Sequence, residues 1–162
     1  MRRLLILVSA LLILVFSFAT VAAQPANRNF IAPLSGAEEV PPADTKARGL
    51  AQFQLSKDGS EISYKVIVAN IENVTMAHIH LAPAGANGPV VAWLYPDGPP
   101  PQLIPGRTNG ILATGVITDA DLVGPLDGAT LEDLITEMRA GNTYVNVHTS
   151  QFPPGEVRGQ IR

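Results

Sequence analysis

Residues 49–69 read GLAQFQLSKDGSEISYKVIVA, and their alternation decides the fold class. Gly49, Ala51, Phe53 and Leu55 fall on one side of an extended chain, Gln52 and Gln54 on the other. Successive side chains of a strand point to opposite faces, so this run is a strand with one buried face. Ile62, Tyr64, Val66 and Val68 repeat the pattern on the way back. Between the runs, Asp58-Gly59 is a dipeptide preferred in tight hairpin turns, where both central residues take positive φ. Two alternating runs joined by such a turn make an antiparallel hairpin.

Working outward, residues 30–34, 76–82, 90–95, 111–118, 143–149 and 156–161 read as further strands between turn formers. Pro41-Pro42 ends any strand there, and residues 70–75 read as a connection. Residues 96–107 carry five Pro and two Gly and read as a long surface loop. One stretch breaks the pattern. Leu131, Leu134, Ile135 and Met138 recur at the spacing of an amphipathic helix, with Thr130 and Asp133 as an imperfect capping box and Gly141 as the stop. Residues 118–122 add a short helical turn. The expectation is an all-β domain over residues 30–162. It is an antiparallel, Greek-key-like β-sandwich or barrel of about 8 strands with one short helix near residues 130–140.

The first residues have a different character. Arg2 and Arg3 precede an apolar run over residues 4–18 broken only by Ser9 and Ser17, and Val21-Ala22-Ala23 precedes Gln24. Charge, apolar run and small residues in that order read as a secretory signal peptide, residues 1–23. Residues 24–29 then form a short leader. The alternative is an uncleaved membrane anchor, since the run just reaches spanning length. The expected location is secreted, periplasmic or extracellular, with membrane contact only through that segment. With no Cys after the run, a lipidated N-terminus is excluded.

The totals exclude several classes. A chain of 162 residues with 46% hydrophobic content forms one domain and is not disordered. A net charge of -3 leaves no basic patch for nucleic acid. Zero Cys removes disulfides, zinc ribbons, iron–sulfur clusters, thiol nucleophiles and blue-copper centres together.

All three histidines, His78, His80 and His148, fall in expected strands. His78 and His80 share a face with Met76; His148 shares one with Tyr144 and Asn146. If the two strands pair, three imidazoles converge, and imidazole suits copper, zinc, iron and nickel. Met76 would add a thioether favouring reduced copper. Binding needs neutral imidazole, so it should weaken below about pH 6. The other reading is a buried polar network in which each His satisfies itself on Asn146, Thr149 or a backbone carbonyl. Both stay open at the level of sequence.

The chain also resembles a known family. Phe30 to Leu34 followed by Gly36-Ala37-Glu38-Glu39-Val40-Pro41-Pro42, then Ala77-His78-Ile79-His80, Tyr144-Val145-Asn146-Val147-His148-Thr149 and Pro154-Gly155-Glu156-Val157-Arg158-Gly159-Gln160-Ile161 are similar to the chordin-type, or CHRD, domain. The resemblance implies a secreted β-rich domain with recurrent His positions at His78, His80 and His148. It carries over no enzymatic activity. Growth-factor binding by chordins is associated with Cys-rich modules, which this chain lacks. The two-metal site of copper/zinc superoxide dismutase needs more ligands than three His supply.

Other chemistry weighs less. Glu38 and Glu39, adjacent in sequence, read as a solvated loop. Glu156 and Arg158 share a strand face as an ion pair, or Glu156 stands behind an imidazole as an outer carboxylate. Asn146 is a second outer partner for the histidines. No G-x-S-x-G elbow supports a hydrolase. Trp93 and Tyr95 read as core, and Asp119 and Asp121 as helix caps rather than a calcium loop. The sequence thus places first a secreted, non-enzymatic binding or structural module whose partner is an extracellular or envelope protein or ligand. A copper- or zinc-binding protein using His78, His80 and His148 comes second, and a mononuclear copper redox enzyme third.

Overall fold

The computed structural model describes residues 27–162; the expected signal peptide lies outside them. Seven strands and one helix follow in the order β1 (Asn29–Ser35), β2 (Arg48–Leu55), β3 (Ile62–Leu81), β4 (Val90–Tyr95), β5 (Ile104–Ile117), α1 (Leu131–Arg139), β6 (Thr143–Thr149) and β7 (Val157–Gln160). Every pairing is antiparallel. The hydrogen-bonded path runs β3–β2–β1–β7–β6 and returns to β3, so the sheet closes into a barrel.

The expected hairpin forms in register, with Phe53 opposite Tyr64 and Ala51 opposite Val66. The all-β class holds. The strand count is seven rather than eight, because the expected strands at 61–69 and 76–82 are one. β3 runs through residues 70–75, where the sequence suggested a connection. Asn70 and Asn73 take positive φ there, both at 55°, and the register with β5 shifts around them. Asn tolerates this left-handed conformation better than most residues. The two bulges are held from the side. Asn109 Oδ1 accepts the Asn70 N–H at 2.8 Å, and Asn73 Oδ1 accepts the Gly106 N–H at 2.9 Å. Bulges bend a strand, so one segment serves two surroundings. Residues 62–69 lie between β2 and β5, and residues 74–81 between β6 and β4.

The Pro-rich loop is shorter than expected, since β5 begins at Ile104. Among the described residues β5 hydrogen-bonds only to β3, and an edge strand accommodates Pro105. The helix matches its periodicity. Leu131, Leu134, Ile135 and Met138 are buried, and Asp133 Oδ2 accepts both the Thr130 N–H (2.8 Å) and its hydroxyl (2.7 Å). Asp119 and Asp121 act as caps. Asp119 Oδ1 accepts the Leu131 N–H at 2.6 Å, and Asp121 Oδ2 accepts the Thr118 N–H at 2.8 Å.

All seven residues of β6 are buried. On one face Val145 and Val147 join Ala77 and Ile79 in the apolar core. The opposite face is polar, and that is where the candidate site sits.

Candidate metal centre

β3 and β6 place Met76 opposite His148, His78 opposite Asn146 and His80 opposite Tyr144. Directly opposed residues of an antiparallel pair share a face. The pairing that the sequence could only assume therefore brings the three histidines together. β7 adds Arg158 opposite Asn146, and β4 adds Trp93 opposite His78. Three loops contribute polar groups around this face. Residues 36–47 supply Glu39, residues 82–89 supply Asn87 and Gly88, and residues 150–156 supply Pro153 and Gly155. The histidines, Asn146, Arg158 and Glu39 are buried, while Met76 and Trp93 are half-buried.

One nitrogen from each of His78, His80 and His148 lies within 4.8 Å of the others. Their protons can be placed from the partners. A carbonyl oxygen only accepts, so His80 Nδ1, 2.9 Å from Gly88 O, carries hydrogen. The same holds for His148 Nδ1, 2.8 Å from Pro153 O. His148 Nε2 is then a lone pair, and His78 Nδ1, 3.2 Å away, donates to it. Nε2 of His78 and Nε2 of His80 are left as lone pairs, buried and without a partner. Asn146 Oδ1 is a third unpartnered acceptor on this face.

Burial pushes the His78 imidazole down to about 3, and its neighbours His148 and His80 add to the shift. Burial likewise lowers His80 to about 4 against the opposing bond to Gly88, and lowers His148. His78 and His80 are neutral well below pH 6. The expectation of weakening below about pH 6 took an exposed imidazole as its reference, and these rings are buried.

The surroundings fix the rings. His80 stacks on Tyr144 at 4.8 Å between centroids, and the Arg158 guanidinium carbon sits 3.4 Å from the centre of the Tyr144 ring. Since β7 and β3 flank β6 on opposite sides, the order is Arg158, Tyr144, His80. Arg158 donates to Asn87 Oδ1 at 3.0 Å and to Ala86 O at 2.7 Å. Trp93 meets His78 edge-on, 4.2 Å between centroids.

Three sequence expectations are corrected here. Glu39 is buried rather than solvated. Asn146 Nδ2 donates to both its oxygens, at 2.9 and 3.0 Å, and burial raises its carboxyl to about 7 against the pull of Arg158 and Asn146. Glu156 makes no ion pair with Arg158. Nor does Glu156 bond to any imidazole; it accepts the hydroxyls of Thr45 (2.7 Å) and Thr149 (2.8 Å). The carbonyls of Gly88 and Pro153 stand behind His80 and His148 instead. Sequence reasoning placed Tyr144 on the face of His148 but missed Arg158, which reaches this cluster only through the β6–β7 register.

Ligands bound to one tetrahedral ion at zinc–nitrogen distances would sit about 3.3 Å apart, so three nitrogens within 4.8 Å of one another would draw together around an ion. A metal-bound His typically donates its other N–H to a carbonyl or carboxylate, as His80 and His148 do here. The three imidazoles offer neutral nitrogen donors, with neither thiolate nor carboxylate hydrogen-bonded to them.

No helix among the described residues is long and apolar enough to cross a membrane. No curated protein and no solved structure gives a significant match. The family model of the CHRD domain matches residues 30–161, which take in all seven strands but for Asn29 of β1, the helix and the whole histidine cluster, and the chain belongs to the CHRD-domain family.

Proposed function

We propose that this chain is an exported CHRD module whose binding role centres on one copper or zinc ion held by His78, His80 and His148. The observation that carries this reading is the set of buried lone pairs. Two imidazole Nε2 atoms have no donor, and a buried acceptor left unpaired costs about 1–3 kcal/mol. A cation among the rings removes that cost. Because the rings are already neutral with their hydrogens on Nδ1, uptake at pH 7 through the three Nε2 atoms needs no proton to leave, only the loss of the His78–His148 hydrogen bond. Met76, opposite His148 on the same face, offers a thioether that would favour Cu(I) over Zn(II). The apolar N-terminal segment supports export, to the extracellular space or an envelope compartment, where the ion would be acquired.

The test is metal content by elemental mass spectrometry on protein purified without a His tag, beside His80→Ala. One equivalent of copper or zinc, lost in the variant, is expected. No metal as isolated and none after titration with Cu(I), Cu(II) and Zn(II) sinks the reading.

A further inference from the structure

Asn146 is buried, and its two amide atoms are used unequally. Nδ2 is committed to both oxygens of Glu39, while Oδ1 has no partner. The residue stands opposite His78 and two positions from His148 on the same strand face. Gly155 closes the Nδ2 side, because a Cβ there would overlap Asn146 Nδ2 and Glu39 Oε1. The amide is held with Nδ2 on Glu39, and the acceptor left over is Oδ1 of a residue on the histidine face. No N–H or O–H of the described residues reaches that acceptor, which leaves it open to an exogenous donor.

With the Met76 thioether suited to Cu(I), three His ligands on a tetrahedral Zn(II) or Cu(II) ion leave one position open. We propose that Asn146 is a positioning residue for an exogenous ligand at that position, and that the ligand is a hydrogen-bond donor of the class of water or ammonia. This rests on the three-His metal reading. Oδ1 accepts an O–H or N–H from the ligand, and Glu39 holds the amide so that it cannot turn its N–H inward. A ligand with lone pairs but no hydrogen, such as azide, gains nothing from Oδ1 and must displace a ligand that does. The site therefore discriminates among small ligands by their protons rather than by their size.

The experiment loads the full chain with Cu(II) and records electron spin-echo modulation in H2O and D2O. Azide is then titrated into the wild type and Asn146→Leu, with copper stoichiometry measured in both. The expected result is deuteron modulation from a directly coordinated exchangeable ligand in the wild type. Azide should bind Asn146→Leu about tenfold more tightly, reflecting the loss of one hydrogen bond to the resident ligand. Copper bound by the wild type without an exchangeable coordinated ligand overturns the role of Asn146 and leaves the metal reading standing. Equal azide affinity in the two proteins does the same. A wild type that takes up no copper overturns both. Should Asn146→Leu fail to fold, the deuterium measurement on the wild type decides.

Discussion

Acidification from pH 7 to pH 5 is expected to destabilise the metal-free protein by about 2 kcal/mol, and by about 4 kcal/mol in Glu39→Gln. The magnitudes follow from which state holds the protons. An unfolded imidazole titrates at 6.5, whereas His78 and His80 in the fold titrate near 3 and 4. Below pH 6.5 the unfolded chain takes up protons that the folded chain refuses, and stability is lost as pH falls. Between pH 7 and pH 5 this costs about 2 kcal/mol at each ring. Glu39 has the opposite sign. Its carboxyl titrates at about 7 in the fold against 4.5 for an ordinary Glu. Its burial therefore penalises the folded state increasingly as pH rises from 4.5 to 7. Acidification over the same window relieves about 2 kcal/mol of that penalty. The lowered carboxyls of Asp58 and Asp133 act below this window. Lowering of His148 adds to the loss. The assay is urea unfolding in the presence of a chelator at pH 7, 6 and 5. A wild type as stable at pH 5 as at pH 7 would refute the reasoning, as would a Glu39→Gln profile no steeper than the wild type.

Three further outcomes are expected. Trp93 is the sole tryptophan and touches His78, so Cu(II) should quench intrinsic fluorescence with a one-to-one endpoint in the wild type and not in His80→Ala. Met76→Leu should weaken Cu(I), read by competition with a chromogenic chelator, and leave Zn(II) nearly unchanged; equal retention of both metals would make Met76 a packing residue. Gly155→Ala should cost about 2–4 kcal/mol in urea unfolding, because φ is +138° and the added methyl overlaps the Asn146–Glu39 pair. Loss of metal uptake at temperatures where that variant is still folded would confirm that this pair orders the histidine face.

The fold was legible wherever alternation was clean. The β2–β3 hairpin, the Leu131–Met138 stripe and the strand bearing His148 all follow from spacing, because burial of one face imposes period 2 or 3.6 on the residues themselves. Residues 70–75 were misread for a physical reason. A bulge inserts residues that break the alternation, and Asn at positive φ looks the same in sequence whether it bends a strand or ends one. The candidate site was half legible. That His78 and His80 share a face follows from i, i+2 geometry, but their meeting with His148 depends on the β3–β6 register, which no local pattern encodes. Glu39 was misplaced because its hydrogen-bond partner Asn146 lies 107 positions away in the chain.

The energetics of the polar face bear on why such a cluster exists at all. A buried polar group contributes to stability only when all of its partners are present, and a well-packed apolar replacement is often as stable or more so. Here Arg158 is satisfied by Asn87, Ala86 and the Tyr144 ring, and Glu39 by Asn146, yet three acceptors on the same face remain open. A network serving only to fix strand register would have no use for open lone pairs, since β3 and β6 are already held by seven paired positions and an apolar opposite face. What the arrangement does achieve is orientation. Two carbonyls set two tautomers, one nitrogen from each ring lies within 4.8 Å of the others, and burial keeps His78 and His80 unprotonated near neutral pH. On the proposed metal reading, the cost of the unpartnered lone pairs would be recovered on binding a cation. Metal loading should therefore raise the unfolding midpoint more at pH 5 than expected for solvent-exposed histidines, because protons compete poorly for rings held near 3 and 4. A loaded protein that released its metal with a midpoint near pH 6 would show that the rings are open to solvent, and the argument from burial would fall.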